Sequence, residues 1–438
     1  MDAGYHDSEM ISNIARPLGL GLVACLLLPC QETKWQAPPA EVREAASKLT
    51  PALRAAMERG DESQVRSVVK QIREALGPWA GHTEVETKYQ EQVNSAPAPS
   101  LADIRKGWNA LLAATESSYQ GHGQWVHSGP APLRETGDVV LGYTDGVRAG
   151  AGDRELELKR IREGLDYLLS VQAANGMFPF PDVRGKDPFF GPMLERAAAK
   201  NPDIIANGWM ISDEGDGGLQ FDNGVCGNAM LEGYEVLHDR KYLDSGRRAA
   251  DWAAAHRPVA NFNYNAFSVW LLAKIYNQTG ERKYLDAAIQ KARIGVLPGE
   301  MENGRWADPH NARPAYHWIM IRALLALRAA LPADDAFEPA LGRNLVAAID
   351  NGAREIQDNG APSFETPLAV LPIACAIPDA KPEWRRALNV LINGVFDVAH
   401  RDPKQIRGLS PYGYGSYLVF RTHEEASRLP KTPGTLAP

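Results

Sequence analysis

The chain has 438 residues, 44% apolar and 23% charged, with a net charge of -7. This length exceeds a single ordinary core, so either two domains or one large repetitive architecture is expected. The acidic balance and the want of any dense Lys/Arg cluster argue against nucleic acid as a partner. Any anion binding must then come from a few placed arginines and helix N-termini.

Leu18 to Leu28 form an apolar run that follows Arg16 and ends at Pro29-Cys30. The run is too short to span a bilayer and has the length of a signal-peptide core. Residues ahead of Met10 are acidic, which makes Met10 a candidate start. Leu22-Val23-Ala24-Cys25 resembles a bacterial lipobox, and Leu27-Leu28-Pro29-Cys30 does so more poorly. Residues 1–30 are therefore expected to be a signal peptide or lipoprotein signal. The protein is expected to be exported, monomeric, and in contact with a membrane only through such an anchor. Of the remaining cysteines, Cys226 and Cys375 lie in apolar helical patterns and read as buried thiols rather than a disulfide. No CxxC pair or Cys/His cluster points to zinc, and no cofactor is expected.

Residues 31–98 read as a polar helical extension, with helical spacing over Glu41–Arg59 and Glu62–Leu76. Over 99–430 the chain alternates two kinds of helix. Val225–Leu237, Ala266–Tyr276, Tyr316–Leu331, Leu368–Ile377 and Tyr417–Phe420 are apolar nearly all round and belong inside. Leu156–Gln172, Tyr242–His256, Tyr284–Val296, Phe337–Ile356 and Trp384–His400 are amphipathic and belong outside. Arg240-Lys-Tyr-Leu-Asp244 recurs as Arg282-Lys-Tyr-Leu-Asp286, an offset of 42 that also places Asn223 on Asn265. Long loops rich in Gly, Asp, Asn, Trp and His precede the inner helices (201–222, 298–311), whereas inner-to-outer turns are short. The pattern predicts an all-α toroid of about six or seven inner and outer helix pairs, with one working rim. The glycines of Ser410-Pro-Tyr-Gly-Tyr-Gly-Ser-Tyr417 suit close helix approach where the last inner helix meets the first pair.

Tyr167-Leu-Leu-Ser-Val-Gln-Ala-Ala-Asn-Gly176, followed by Phe178-Pro-Phe-Pro181, resembles the helix-then-turn signature of α/α-toroid carbohydrate enzymes. Alginate, glucuronan and pectate lyases of this fold carry such segments, as do toroid glycosidases and terpene cyclases. The resemblance covers roughly residues 140–425. It implies a toroid acting on carbohydrate, and for the lyases an acidic polysaccharide. The chain carries no DxDD or DDxxD cluster, which disfavours terpene chemistry.

The densest group of candidate residues is Trp306-Ala-Asp-Pro-His310-Asn-Ala-Arg313-Pro-Ala-Tyr316-His317-Trp318. Arg313, Tyr316 and His317 stand at i, i+3 and i+4, on one side of one turn. Asn261, Asn263 and Asn265 crowd the start of the preceding inner helix, and Asn223 and Asn228 occupy the repeat before it. Cleavage of a uronate chain by β-elimination needs the carboxylate neutralised by Asn, Arg or a protonated acid, together with a base and an acid. By residue type, and by resemblance to metal-independent toroid lyases, Tyr316 is the expected base or acid with His317 or His310 as its partner. Asn265 and Arg313 are the expected neutralisers. Asn223, His310, Trp209, Tyr264, Trp306 and Tyr412 are expected to line the substrate. Two other readings stay open. One is a hydrolase using two carboxylates from Asp213, Glu214, Asp216, Asp222, Glu302 and Asp308. The other is a carbohydrate-binding repeat without catalysis. Asp213–Gly218 also reads as a solvated loop or, without the EF-hand pattern, a thin calcium candidate.

Overall fold

The computed structural model describes residues 35–89, 97–126, 131–182, 195–196, 198–199, 201–206, 208–211, 218–362, 366–401 and 411–428. The expected export signal, residues 1–30, lies outside them. No described helix is long and apolar enough to cross a membrane.

Three short helices come first: α1 (Ala40–Ser47), α2 (Thr50–Glu58) and α3 (Glu62–Leu76). Then follow α4 (Leu101–Glu116), α5 (Pro132–Ala149), α6 (Arg154–Val171), α7 (Leu219–Leu237), α8 (Arg240–Ala255), α9 (Phe262–Thr279) and α10 (Arg282–Gly295). The last five are α11 (Pro314–Ala330), α12 (Glu338–Asn359), α13 (Thr366–Ala374), α14 (Pro382–Arg401) and α15 (Pro411–Arg428). The only described strands are two small hairpins, β1 (Tyr119–Gly121) with β2 (Gln124–Trp125) and β3 (Ile205–Ala206) with β4 (Trp209–Met210).

Among the described residues, the inner helices α5, α7, α9, α11, α13 and α15 each pack on the next, and α15 returns to α5. The outer layer is α6, α8, α10, α12 and α14, completed by α4, which packs on α15. The fold is thus a closed α/α toroid of six pairs in which the first helix of the ring is the outer partner of the last. Tyr414 donates to the carbonyl of Ile104 (3.0 Å), and Arg421 to that of Pro99 (3.3 Å), across this join. Two glycines make the closure close-fitting. A Cβ on Gly142 of α5 would stand 2.5 Å from the Pro411 carbonyl carbon, and one on Gly415 of α15 would stand 2.9 Å from Asp145 Cβ.

The repeated Arg-Lys-Tyr-Leu-Asp segments open the outer helices α8 and α10, and their lysine and tyrosine do the same work in each. Lys241 and Tyr242 both reach Asp166 on α6, at 2.7 and 2.8 Å. Lys283 and Tyr284 both reach Asp251 on α8, at 2.8 and 2.9 Å. Lys381 and the indole N–H of Trp384 complete a third such clamp on Asp350 of α12. The outer helices α8, α10 and α14 are thereby each registered on the one before. The exposed ion pairs contribute little, and the buried aromatic rings supply most of the stabilisation.

The extension is not a separate lobe. Its helix α3 buries Val65, Val68, Val69 and Ile72 and packs on α10, with Glu62 paired to Arg293 at 2.8 Å.

Candidate functional site

The inner helix α5 departs from the sequence expectation. It is not apolar all round: Arg134, Asp138, Asp145 and Arg148 form a stripe along one face, at the spacing that stacks residues on one side of a helix. In a ring of six, α5 stands opposite α11, so this stripe looks across the lumen. A polar face on an inner helix requires something other than hydrocarbon in front of it, and the lumen is that surface.

The half of the lumen at the N-terminal ends of the inner helices is lined by cations and aromatic rings. Arg134 donates to Asp222 on α7 at 2.8 Å, and its guanidinium lies 3.5 Å from the centroid of Phe221. From α11, Arg322 lays its guanidinium 3.7 Å from the centroid of Trp270 on α9. Its Nε is buried without a hydrogen-bond partner among the described residues. Tyr412, in the first turn of α15, stacks on Trp270 with ring centroids 6.5 Å apart. Asp138 is partly open to this space. Burial pushes its carboxyl up to about 6, although Arg322 and Arg134 pull the other way; Glu135 and Asp222 add to the rise. Burial likewise raises the Tyr412 phenol to about 12, with Arg322 opposing. This half of the ring thus brings together two guanidiniums, a readily protonated carboxyl and a phenol.

The opposite half of the lumen is filled by an ion network. Arg148 pairs with Glu232 and Glu235 of α7, and Lys274 of α9 pairs with Glu232 at 2.5 Å. Burial opposes charge on Glu232, yet Lys274 and Arg148 outweigh it and hold the carboxylate down at about 2. Asp145, beside this network, is pushed by burial to about 7. Every cation of the network faces a carboxylate.

At the rim, Arg313, His310 and Tyr316 come together as their spacing implies. The His310 and Tyr316 rings are 4.8 Å apart, and the Arg313 guanidinium is 5.5 Å from the Tyr316 centroid. The partner that Arg313 and His310 share is Glu84, from the segment between α3 and α4. One oxygen of Glu84 accepts from Arg313 at 2.6 Å and from His310 at 3.2 Å. The His310 hydrogen bond, aided by Arg313, holds the Glu84 carboxyl down at about 2 against the opposing effect of burial.

Other expected site residues have structural work instead. His317 points away from the lumen to the outer layer, where Nε2 donates to the Ala348 carbonyl at 2.9 Å; burial pushes its imidazole down to about 3. It is a neutral buried imidazole, which removes it as the partner of Tyr316. Asn265 spends its amide on backbone: it accepts from Val259 N–H (2.9 Å) and donates to the carbonyls of Val259, Asn261 and Gly295. Nothing of it is left to neutralise a substrate. Asn223 does the equivalent, accepting from Phe178 N–H (3.2 Å) and donating to the Ala249 carbonyl (3.0 Å). The repeat offset therefore marks a structural position, one that ties each entering loop to the outer helix of the same pair. Asn263 and Asn311 likewise bond each other to join the start of α9 to the 300–313 loop.

Trp306 is fully buried with its indole N–H on the Val296 carbonyl (2.9 Å), and Trp209 and Tyr264 are buried too. Of the expected carboxylates, Asp222 is the buried partner of Arg134, and Asp308 accepts from Asn311 within its own loop. Glu302 is exposed. Asp213, Glu214 and Asp216 lie outside the described residues. Cys226 and Cys375 are free thiols, and among the described residues no cluster of three His, Cys, Asp or Glu side chains is arranged to hold a metal ion.

The residues that sequence reasoning missed are Arg134, Asp138, Arg322 and Glu84. A signal existed for two of them, in the Arg134/Asp138 pair at i, i+4 on a helix flanked by inner-helix loops.

No protein-family model and no curated protein sequence matches the chain. Among solved structures, it is similar to a polysaccharide lyase at 11% identity, covering 76% of this chain and all of that one, with a TM-score of 0.52. It is also similar to a family 76 α-mannanase from Bacteroides thetaiotaomicron at 12% identity, covering 75% and 97% of the two chains, with a TM-score of 0.50. A family 88 glycosyl hydrolase from Bacteroides vulgatus aligns at 12% identity over 74% and 99%, with a TM-score of 0.48. The first two likenesses agree with the ring of helix pairs and establish the fold, not the reaction.

Proposed function

We propose that the chain is a carbohydrate-active enzyme that takes an acidic saccharide into the lumen and cleaves it by β-elimination. The observation that carries this reading is the pair Arg322 and Arg134, set on aromatic rings and both acting on the Asp138 carboxyl. Elimination begins at a C–H next to a carboxylate, and that proton leaves only if the carboxylate's charge is masked. The two guanidiniums and the protonated Asp138 supply the masking. A substrate carboxylate set beside Asp138 raises its proton affinity further, by like-charge repulsion. Tyr412 takes the acid–base role expected of Tyr316. The C5 proton goes to the base, the electron pair forms the C4–C5 double bond, the C4–O bond breaks, and the leaving oxygen gains a proton. The reaction is proposed to need no metal, since the arginines provide the positive charge. Export is part of the same proposal, on the strength of the apolar run Leu18–Leu28.

A second reading, hydrolysis, is favoured by Asp138 and Asp145 standing on one face of α5 with raised proton affinities. Asp138 is then the acid and Asp145 or Glu135 the second carboxylate. The test is a panel of alginate, glucuronan, pectate and glycosaminoglycans, followed by the ultraviolet absorbance of unsaturated uronates. A rise on one polymer that disappears in Tyr412→Phe supports elimination. New reducing ends without absorbance sink it in favour of hydrolysis. Silence on every polymer, with retention on a polysaccharide column, leaves only binding.

A further inference from the structure

We propose that Arg313, His310 and Tyr316 form a rim subsite for a carboxylate-bearing sugar, and that Glu84 occupies this subsite as a built-in competitor. The inference rests on the reading that the saccharide is acidic, and adds a regulating contact to it.

Glu84 belongs to a strap, residues 81–89, that crosses the loop leading into α11. Two anchors independent of the Glu84 side chain hold the strap. At one end, the Gly81 N–H donates to the Ala307 carbonyl at 2.7 Å. At the other, Tyr89 forms a bridge with Pro362, and its hydroxyl donates to Glu355, which also pairs with Arg305. The Glu84 side chain can therefore swing away while the strap stays in place.

The chemistry of the contact is that of a bound uronate. A single carboxylate oxygen collects a guanidinium and an imidazole donor, both of which pack on the Tyr316 ring. Glu84 and His310 are each about a quarter exposed, at 24% and 22% of their side-chain surface, so an incoming carboxylate can reach the same donors. Arg313 is the residue just before α11, and Arg322 lies nine residues further on, about 13 Å along the axis and on the opposite side of the helix. The rim cluster is therefore a subsite apart from the lumen arginines, on the side of the helix that His317 also takes. A purely structural tie at this exposure contributes little to stability, whereas a carboxylate held on these donors competes directly with one arriving from solvent.

The test is calorimetric binding of a short oligogalacturonate and a short oligoglucuronate to the full chain in the Tyr412→Phe background, where turnover is removed. Glu84→Gln keeps the shape and removes the charge. It should bind one of the two at least about fivefold more tightly than the parent, and adding Arg313→Ala should abolish the gain. Glu84→Asp, too short to reach both donors, should fall between them and serves if the glutamine variant does not fold. Unchanged or weaker binding in the Glu84 variants overturns the proposal, as does failure of every variant to bind either sugar. Tighter binding in Glu84→Gln with no unsaturated product from any polymer keeps the subsite and sinks the elimination reading. The converse result sinks the subsite alone.

Discussion

Arg134 reaches from α5 to Asp222 on α7 and donates to it at 2.8 Å, its guanidinium held over Phe221. Asp222 is fully buried, so it positions the arginine and does not meet a substrate. Asp222→Asn should therefore raise KM for an acidic saccharide about tenfold or more while changing kcat less, because the mobile arginine loses orientation and not charge. Initial rates on the responsive polymer measure the split. Equal losses in both constants, or a loss in kcat alone, contradict the positioning role.

Asp138 separates the two chemistries through pH. Its working form is protonated, so activity should decline as pH rises through about 6, or higher once an anionic substrate is bound. Asp138→Asn is permanently neutral and still donates a hydrogen bond. Under elimination it should keep much of the rate and lose that limb of the profile. Under hydrolysis, removing the acid should cost about 10²–10⁴-fold at every pH. The stability sign follows from the same shift. The folded carboxyl binds its proton more tightly than the unfolded one, so its contribution is full below about 4 and is lost as pH rises through about 6.

His317 gives the opposite slope. The folded imidazole is pushed down to about 3 from its ordinary 6.5. Below about pH 6.5 the unfolded chain binds a proton that the folded chain refuses, so stability falls as pH falls through that window. His317→Gln should flatten this part of the stability profile measured by urea unfolding, and should leave saccharide binding unchanged. A change in the pH dependence of turnover would instead restore His317 to the site.

Asn265→Ala and Asn223→Ala are expected to act on the fold. Each removes an amide that satisfies buried backbone groups, which at about 1–3 kcal/mol per orphaned group makes a loss of a few kcal/mol for either. Denaturant midpoints should drop for both, with the larger drop at Asn265, while KM of the surviving folded enzyme stays within about twofold. A folded Asn265→Ala with normal stability and no activity would return it to catalysis.

The sequence made most of the toroid legible because its inner helices are apolar on all sides and its outer helices on one. It hid α5, the inner helix whose outward appearance is polar, because a face that lines an open lumen carries the same pattern as a face in bulk solvent. The rim cluster was half legible. Arg313 and Tyr316 lie on one turn by simple spacing, but Glu84 arrives from 229 residues away, and no local pattern announces it. The repeat pairing of Asn223 with Asn265 was visible, and its meaning was the reverse of the one expected. A residue needed in successive repeats is a joint of the repeat, while the chemistry falls on positions that each repeat uses differently, such as Asp138, Trp270, Arg322 and Tyr412.

The join between α4 and α15 sets the order of biogenesis. A ribosome delivers α4 and α5 some three hundred residues before the helix that seats between them. Until then, the narrow face at Gly142 has no counterpart, and the lumen has one side missing. Ring completion is therefore a late, long-range event, slow by its chain separation, and the pocket comes into being only with that last step. The same adjacency puts Pro99 within a hydrogen bond of Arg421. A short peptide bridging these neighbouring ends, with a new opening in an inner-to-outer turn such as that at Gly280, should give a permuted chain with the same ring.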